Sequence, residues 1–132
     1  EDLSAVLAEA DVVSLHLPLN SQTRHVLDSA ALAAARPGAI VINVARGPLI
    51  DEAALIEALR SGHLAGAGLD VFEVEPLPLD SPLLDMPNVV VTPHWAAATL
   101  ATMTRRAQIT ADNVALALAG DAPRYRVLPE HL

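Results

Sequence analysis

Cysteine and lysine are absent from this sequence, and aromatic residues are rare. The lack of cysteine excludes a disulfide scaffold, a thiolate nucleophile and cysteine-ligated zinc or iron–sulfur sites. One Trp, one Tyr and one Phe are too few to form a stacking platform for nucleic-acid bases. All eight basic residues are arginines, scattered along a chain whose net charge is −8. This balance argues against nucleic acid or an anionic membrane surface as a partner.

Long hydrophobic runs are missing too, although the chain is apolar overall. It has 132 residues, of which 52% are hydrophobic and 18% charged, enough for one domain with a buried core. Charged residues, prolines or histidines interrupt every apolar stretch well before the ~18 residues that a membrane span needs. No basic-then-apolar leader opens the chain, and its first residue is Glu1 rather than Met. We expect a cytoplasmic domain that is a fragment of a longer, bacterial protein.

Short apolar runs alternate with helical patterns along the chain. The predicted strands are Asp11–His16, Ala39–Val44, Ala65–Val71 and Asn88–Thr92. Each run is apolar almost throughout, which is typical of parallel strands covered on both faces. The predicted helices are Leu3–Ala10, Ala30–Ala35 (capped by Asp28 or Ser29), Glu52–Arg60 (capped by Asp51) and Thr99–Ala119. This alternation predicts an α/β fold with about four parallel strands, helices between them and a long C-terminal helix.

One stretch of the sequence fits neither a helix nor a central strand. Residues 73–87 contain four prolines, a density that blocks both kinds of element. We expect a surface loop of fixed shape there. A loop this long is either functional or a plain crossover connection.

Polar and charged residues follow the predicted strands. Arg46 follows the second strand, Asp70 and Glu75 the third, and His94 the fourth. Because ligands bind beyond the carboxyl ends of parallel strands, we expect these side chains at one edge of the sheet. A histidine paired with a carboxylate exchanges protons near neutral pH, and an arginine grips a carboxylate bidentately. The alternatives are a capping or packing role for His94 and a surface salt bridge for Arg46.

Other motifs in the sequence indicate no further site. Gly66 and Gly68 lie at and within a predicted strand rather than in a strand-to-helix turn, so they are not a dinucleotide fingerprint. The sequence contains no G-x-S-x-G motif of a hydrolase. The remaining histidines lack metal-ligand spacing, so we expect no metal site.

Four segments carry a specific resemblance. They are DVVSLHLP (11–18), INVARGPLIDEAAL (42–55), GAGLDVFEVEP (66–76) and NVVVTPHWAAAT (88–99). In this order and at these spacings the chain resembles the D-isomer-specific 2-hydroxyacid dehydrogenases, a family that includes phosphoglycerate dehydrogenase, glyoxylate/hydroxypyruvate reductase and formate dehydrogenase. The resemblance implies the second half of a Rossmann-type, doubly wound NAD(P)-binding domain over residues 1–98. Residues 99–132 would then be a C-terminal helix and tail that pack on a substrate domain outside this chain.

The resemblance also implies roles for individual residues. Arg46 would hold the substrate carboxylate, His94 would act as general acid and base, and Glu75 would hydrogen-bond His94 and favour its protonated form. The substrate would be a small 2-hydroxy or 2-oxo acid, with NAD or NADP as the hydride carrier. Asp70 would hold the nicotinamide carboxamide. The implied cofactor-binding residues are Pro18, Val44, Ala45, Arg46, Asp70, His94, Ala96 and Ala97.

The chain departs from the family pattern at two points. Trp95, Ala96 and Ala97 stand where the family commonly has one or two glycines, and a Cβ at Ala97 would crowd the nicotinamide ribose. The glycine fingerprint and the acidic residue that selects NAD over NADP would precede Glu1, so we expect the chain alone to be inactive. The family resemblance further implies a homodimer formed through the nucleotide domain. The alternative function is a non-catalytic NAD-binding regulatory or scaffold protein on the same fold.

Overall fold

The computed structural model describes residues 2–128, in which four strands and four α-helices alternate except between the third and fourth strands. The strands are β1 (Val12–Leu15), β2 (Ile40–Asn43), β3 (Gly66–Leu69) and β4 (Val89–Val91). The helices are α1 (Leu3–Glu9), α2 (Ser29–Ala34), α3 (Glu52–Arg60) and α4 (Leu100–Leu118). Each predicted strand and helix is confirmed, and each strand is one or two residues shorter at each end than the apolar run that predicted it.

The sheet is parallel throughout, with the order β1-β2-β3-β4. Val12 pairs with Ile40, Ile40 with Gly66, and Leu69 with Val91. This register brings the carboxyl ends of all four strands to one edge of the sheet. The predicted α/β class with a parallel sheet is therefore confirmed, and the loops that carry the candidate residues emerge from that edge.

Side-chain caps set the starts of the helices. The carboxylate of Asp28 accepts the Ala31 N–H at 2.8 Å, and that of Asp51 accepts the Ala54 N–H at 3.1 Å. Of the two residues considered for the start of α2, the cap is therefore Asp28. These short polar side chains satisfy N–H groups that have no partner within the helix, which is why helices begin at these positions.

The core is built mainly from leucines between the sheet and its helices. Its most deeply buried side chains are Leu7, Leu27, Leu32, Leu49, Leu55, Leu64 and Leu83, with Val41 and Asn43. Leu83 belongs to the proline-rich loop, where it lies in a short 3₁₀ turn, Pro82–Leu84. The loop is irregular, as predicted. It does not lie wholly on the surface, because the Leu83 side chain is buried in the core.

The chain divides into two compact units, Glu1–Ala96 and Ala97–Leu132. The second unit contains α4, a helix of 19 residues with none of them buried. Among residues 2–128, no helix combines the length and apolarity required to cross a membrane. The assignment of 99–132 to a helix and tail that pack on a substrate domain stays a prediction, and residues 129–132 of that tail lie outside the described residues.

Candidate active site

The turn that carries Arg46 is built on a buried asparagine at the end of β2. Asn43 is only 1% exposed, and its amide folds back over the chain that follows. Its Nδ2 donates to the Arg46 carbonyl at 2.9 Å, and its Oδ1 accepts the Ala45 N–H at 3.1 Å. A buried amide satisfied in this way shapes the turn at little desolvation cost. Arg46 is exposed, and its Nη1 donates to the Ala45 carbonyl at 2.6 Å.

Gly47 brings this turn into direct contact with the segment after β3. A Cβ on Gly47 would lie 1.8 Å from the Phe72 carbonyl oxygen and 2.6 Å from the Glu73 nitrogen. No side chain fits in that space, so the backbone following Arg46 packs on the backbone leading to Glu75. The two loops are thereby held at a fixed separation.

Glu75 and His94 form the predicted pair. Glu75 Oε2 lies 2.8 Å from His94 Nδ1, and Glu75 Oε1 accepts the Phe72 N–H at 3.1 Å. The hydrogen bond with His94 lowers the pKa of Glu75, and burial raises it by less. The Phe72 N–H and the positive charges of His94 and Arg46 lower it further. The result is a pKa below the ordinary value, so the carboxylate is ionised and orients the imidazole through Nδ1.

Asp70 holds the turn on which His94 lies. Asp70 is 3% exposed. Its carboxylate accepts the Thr92 hydroxyl at 2.5 Å, the Trp95 N–H at 2.7 Å and the Ala96 N–H at 2.8 Å. These three bonds surround His94, whose φ of +57° lies in the left-handed region that non-glycine residues seldom adopt. Such a conformation persists only where surrounding contacts impose it.

The hydrogen bonds also determine the ionisation of Asp70. Burial by itself raises the pKa of Asp70. The Thr92 hydroxyl, the N–H groups of Ala96 and Trp95 and the charge of His94 together outweigh burial, so the pKa falls below its ordinary value. Asp70 is therefore a buried anion held by the His94 turn. The proposed contact of Asp70 with a nicotinamide carboxamide stays a prediction.

The other predicted cofactor residues occupy different parts of the chain. Pro18, Val44, Ala45 and Arg46 line one cavity of about 600 Å³ at the carboxyl ends of β1 and β2. The remaining lining residues of this cavity are His16, Leu17 and Leu19. Ala96 lies beside Asp70 through its N–H, and Ala97 is the first residue of the second unit.

This cavity is the place where the resemblance predicts the nicotinamide end of the cofactor. It lies beyond the strand ends, where doubly wound sheets bind nucleotides, and its volume falls in the range of small-ligand sites. Its lining combines apolar side chains with Arg46 and His16. Among residues 2–128, no group of three or more histidine and acidic side chains could hold a metal ion.

Three residues that build the site were not identified from the sequence. Asn43 was detectable as a polar residue inside an apolar strand, since such a residue is buried only if it is satisfied. Gly47 was detectable as a glycine directly after Arg46, although its reason, contact with Phe72, is tertiary. The role of Thr92 could not be predicted from the sequence, because a threonine at the end of a strand is just as often exposed to solvent as bonded to a buried carboxylate.

Comparison with known proteins identifies the family of the chain. Residues 1–96 match the family model described as the D-isomer specific 2-hydroxyacid dehydrogenase, NAD binding domain. The chain is 48% identical over 131 residues to glyoxylate/hydroxypyruvate reductase B of Pectobacterium carotovorum subsp. carotovorum (strain PC1). That match covers 99% of this chain but only 41% of the reductase.

Solved structures give the same result. The TT0316 protein from Thermus thermophilus superposes with a TM-score of 0.93 at 48% identity, over 97% of this chain and 41% of that one. A D-isomer specific 2-hydroxyacid dehydrogenase from Xanthobacter autotrophicus Py2, in complex with NADPH and MES, superposes with a TM-score of 0.81 at 48% identity. That match covers 97% of this chain and 52% of the other.

Proposed function

Because the chain belongs to the D-isomer specific 2-hydroxyacid dehydrogenase family, we propose that it supplies the catalytic residues of an NAD(P)-dependent oxidoreductase. The reaction interconverts a small 2-oxo acid and the corresponding D-2-hydroxy acid. The observation that carries the proposal is the 2.8 Å contact between His94 Nδ1 and Glu75 Oε2. The Arg46 turn, which emerges from the same edge of the sheet, supports it.

His94 moves the proton in this reaction. Its Nδ1 is engaged by Glu75, so Nε2 is the ring nitrogen that exchanges a proton with substrate. In reduction, the imidazolium donates this proton to the carbonyl oxygen, which becomes the hydroxyl. In oxidation, the neutral ring takes the proton back. The ionised Glu75 stabilises the imidazolium and fixes the orientation of the ring.

Arg46 binds the other end of the substrate. Its guanidinium is planar and always charged, and it can hold a carboxylate through two parallel hydrogen bonds. In the present structure its Nη1 donates to the Ala45 carbonyl, a contact that a substrate carboxylate can replace. The positive charge next to the reacting carbonyl also stabilises negative charge that develops on the oxygen.

The nicotinamide cofactor would lie in the cavity lined by Pro18, Val44, Ala45 and Arg46. The family resemblance adds Asp70, His94, Ala96 and Ala97 to the residues that would hold it. A bound NAD(H) or NADP(H) would supply the hydride in reduction and accept it in oxidation. The protein contributes orientation and charge. The names of the relatives suggest glyoxylate and hydroxypyruvate as the first substrates to test.

The assembly and location of the enzyme are further parts of the proposal. We propose a cytoplasmic homodimer joined through its nucleotide domain, with neither nucleic acid nor membrane as a partner. The family supports the dimer, and the acidic composition with scattered arginines supports the absence of polyanionic partners.

A chimera tests the activity, since the chain spans 41% of the Pectobacterium reductase. This chain would replace the matching segment of that reductase, and turnover would be followed by nicotinamide absorbance with glyoxylate and hydroxypyruvate. We expect activity, a loss of about 10²- to 10⁴-fold in kcat for His94→Gln, and about a 10²-fold loss in kcat/KM for Arg46→Gln.

Arg60→Gln is the matched control for this test. Arg60 is an exposed arginine that pairs with Glu57 at 3.5 Å, and its removal should leave the rate unchanged. A His94→Gln chimera that turns over at the full rate would refute the assignment. A chimera that binds cofactor, as reported by nicotinamide fluorescence, but turns over no 2-oxo acid would instead indicate the non-catalytic NAD-binding alternative.

A further inference from the structure

A second histidine–carboxylate pair lies beside the site, and the proposed reaction does not use it. His25 Nε2 and Glu73 Oε1 are 2.5 Å apart, with side chains 33% and 28% exposed. Arg24 Nη2 lies 3.9 Å from the same oxygen. Like His94, His25 has a left-handed backbone, with φ of +51°. Its own N–H donates to the Pro48 carbonyl at 2.8 Å, which ties this loop to the turn after Arg46.

The backbone of Glu73 is held from a second direction. Its N–H donates to Oε2 of Glu52, the first residue of α3, at 3.2 Å. The pKa of Glu52 lies above its ordinary value. Burial raises it most, the hydrogen bond from the Glu73 N–H lowers it, and the negative charge of Glu73 raises it further. Gly47 packs against the same peptide group, between Phe72 and Glu73. Two segments distant in sequence, residues 24–25 and residues 47–52, therefore meet at Glu73.

This arrangement bears directly on Glu75. One oxygen of Glu75 accepts the Phe72 N–H, and the other contacts His94. The position of the Phe72 N–H therefore decides where the Glu75 carboxylate lies. Any shift of the Phe72–Glu73 backbone moves that N–H and changes the contact between Glu75 and His94.

We propose that His25, Glu73 and Glu52 form a clamp that positions the Glu75 carboxylate against His94. The clamp residues are positioning residues, and their role rests on the proposed function of the Glu75–His94 pair. An exposed ion pair between flexible side chains contributes little to stability. Here the pair is about two-thirds buried and holds a backbone that also contacts Glu52 and Gly47, so its effect is on geometry.

Side-chain NMR of the 132-residue chain tests the clamp without any need for turnover. The ¹⁵N signal of His94 Nδ1 reports the hydrogen bond to Glu75, and Glu75→Gln defines its value when that carboxylate is lost. We expect Glu73→Ala and His25→Ala each to move the signal most of the way to that value. The rate of hydrogen exchange of the Phe72 N–H should rise about tenfold in both the Glu73→Ala and the His25→Ala variants.

Two further variants separate positioning from a general loss of charge. Glu73→Gln keeps an acceptor for His25, so its His94 signal should stay close to that of the unsubstituted chain. Glu57→Ala removes an exposed carboxylate on α3 that pairs with Arg60, and it should change neither the His94 signal nor the Phe72 exchange rate. A Glu73→Gln chain that behaves like Glu73→Ala would overturn positioning by this hydrogen bond.

The outcomes for the clamp and for the proposed function differ. If Glu75→Gln shifts the His94 signal but Glu73→Ala and His25→Ala do not, the clamp is wrong and the acid–base pair stands. If Glu75→Gln leaves the signal unchanged, the acid–base pair is wrong and the clamp fails with it. Should Glu73→Ala not fold, His25→Ala decides alone, because it removes the partner and leaves the Glu73 backbone contacts in place.

Discussion

Replacing Asp70 by asparagine perturbs the turn that carries His94 while preserving the shape of the side chain. In the native turn, Oδ1 accepts the Thr92 hydroxyl and the Trp95 N–H, and Oδ2 accepts the Ala96 N–H. Asparagine has one acceptor oxygen and one amide group that only donates. Whichever way it is oriented, the amide faces a backbone N–H, so one donor loses its partner.

The cost follows from these contacts. One hydrogen bond to a charged group is lost, worth ~1.5–3 kcal/mol, and the bonds that remain lose the strengthening that a charged acceptor gives. Because Asp70 is 3% exposed, water does not replace the missing partner. We expect the free energy of unfolding to fall by ~3 kcal/mol, which lowers Tm by about 10 to 15 °C for a chain of this size.

Thermal unfolding followed by circular dichroism measures this difference, and Asp28→Asn is the matched control. Asp28 caps α2 by accepting the Ala31 N–H at 2.8 Å, and asparagine is an equally good cap. The same chemical change should therefore alter Tm little at Asp28 and strongly at Asp70. Equal melting temperatures for the two variants would refute this account of the His94 turn.

The pH dependence gives a second check on Asp70. Its pKa is lower in the folded chain than the ordinary value of 3.8, so the ionised group favours folding. That stabilisation is fully present above the ordinary pKa and is lost as the pH falls through the folded pKa. The difference in stability between the unsubstituted and Asp70→Asn chains should therefore narrow as the pH drops below 3.8. A difference that widens on acidification would contradict the assigned sign.

Two further predictions follow from neighbouring residues. Gly47→Ala would place a Cβ 1.8 Å from the Phe72 carbonyl oxygen, so we expect a loss of about 3 kcal/mol in urea unfolding. Gly68→Ala, whose Cβ meets only the end of the Ile42 side chain at 3.0 Å, should cost clearly less, and equal costs would argue against the close backbone contact. When followed by ¹³C NMR, the Glu75 carboxyl should titrate below its ordinary pKa of 4.5. Its contribution to the free energy of unfolding is therefore lost only as the pH falls through that lower value. A titration midpoint at or above 4.5 would contradict the contact with His94.

The elements of this fold are largely readable from local sequence. Continuous apolar runs produce parallel strands, and Asp28 and Asp51 cap helices that begin where their positions predict. The last helix begins one residue later than predicted, because Thr99 caps it. The ends of the strands were harder to predict, because the backbone hydrogen bonds of a strand stop where the neighbouring strand leaves the sheet. The anchoring of the proline-rich loop by Leu83 was also unreadable, since prolines predict an irregular backbone but not the core contact beneath it.

The candidate site divides in the same way. The residues proposed to carry the chemistry, namely Arg46, Glu75 and His94, were candidates because polar residues of these types follow strands, and the family resemblance then implied their roles. The residues that hold them were not identified in that role. Asp70 was assigned to a cofactor by resemblance, and its three bonds to the His94 turn became visible only in the fold. His25 and Glu73, 48 residues apart, form a pair that no local pattern indicates.

By itself the sequence determined the class of the fold, the order of its elements and the types of residue at one edge of the sheet. It could do so because hydrophobic periodicity, helix caps and the spacing of strands and turns are local properties. The absence of cysteine excluded disulfide, thiolate and cysteine-ligated metal sites, and the scarcity of aromatic residues excluded a stacking platform for nucleic-acid bases, because the side chains that these sites require are missing. Tertiary structure alone decided which side chains touch: Glu75 with His94, Asp70 with the His94 turn, Gly47 with Phe72, and Glu73 with His25 and Glu52. These contacts join segments far apart in the chain, and their geometry depends on how the loops pack against one another beyond the strand ends.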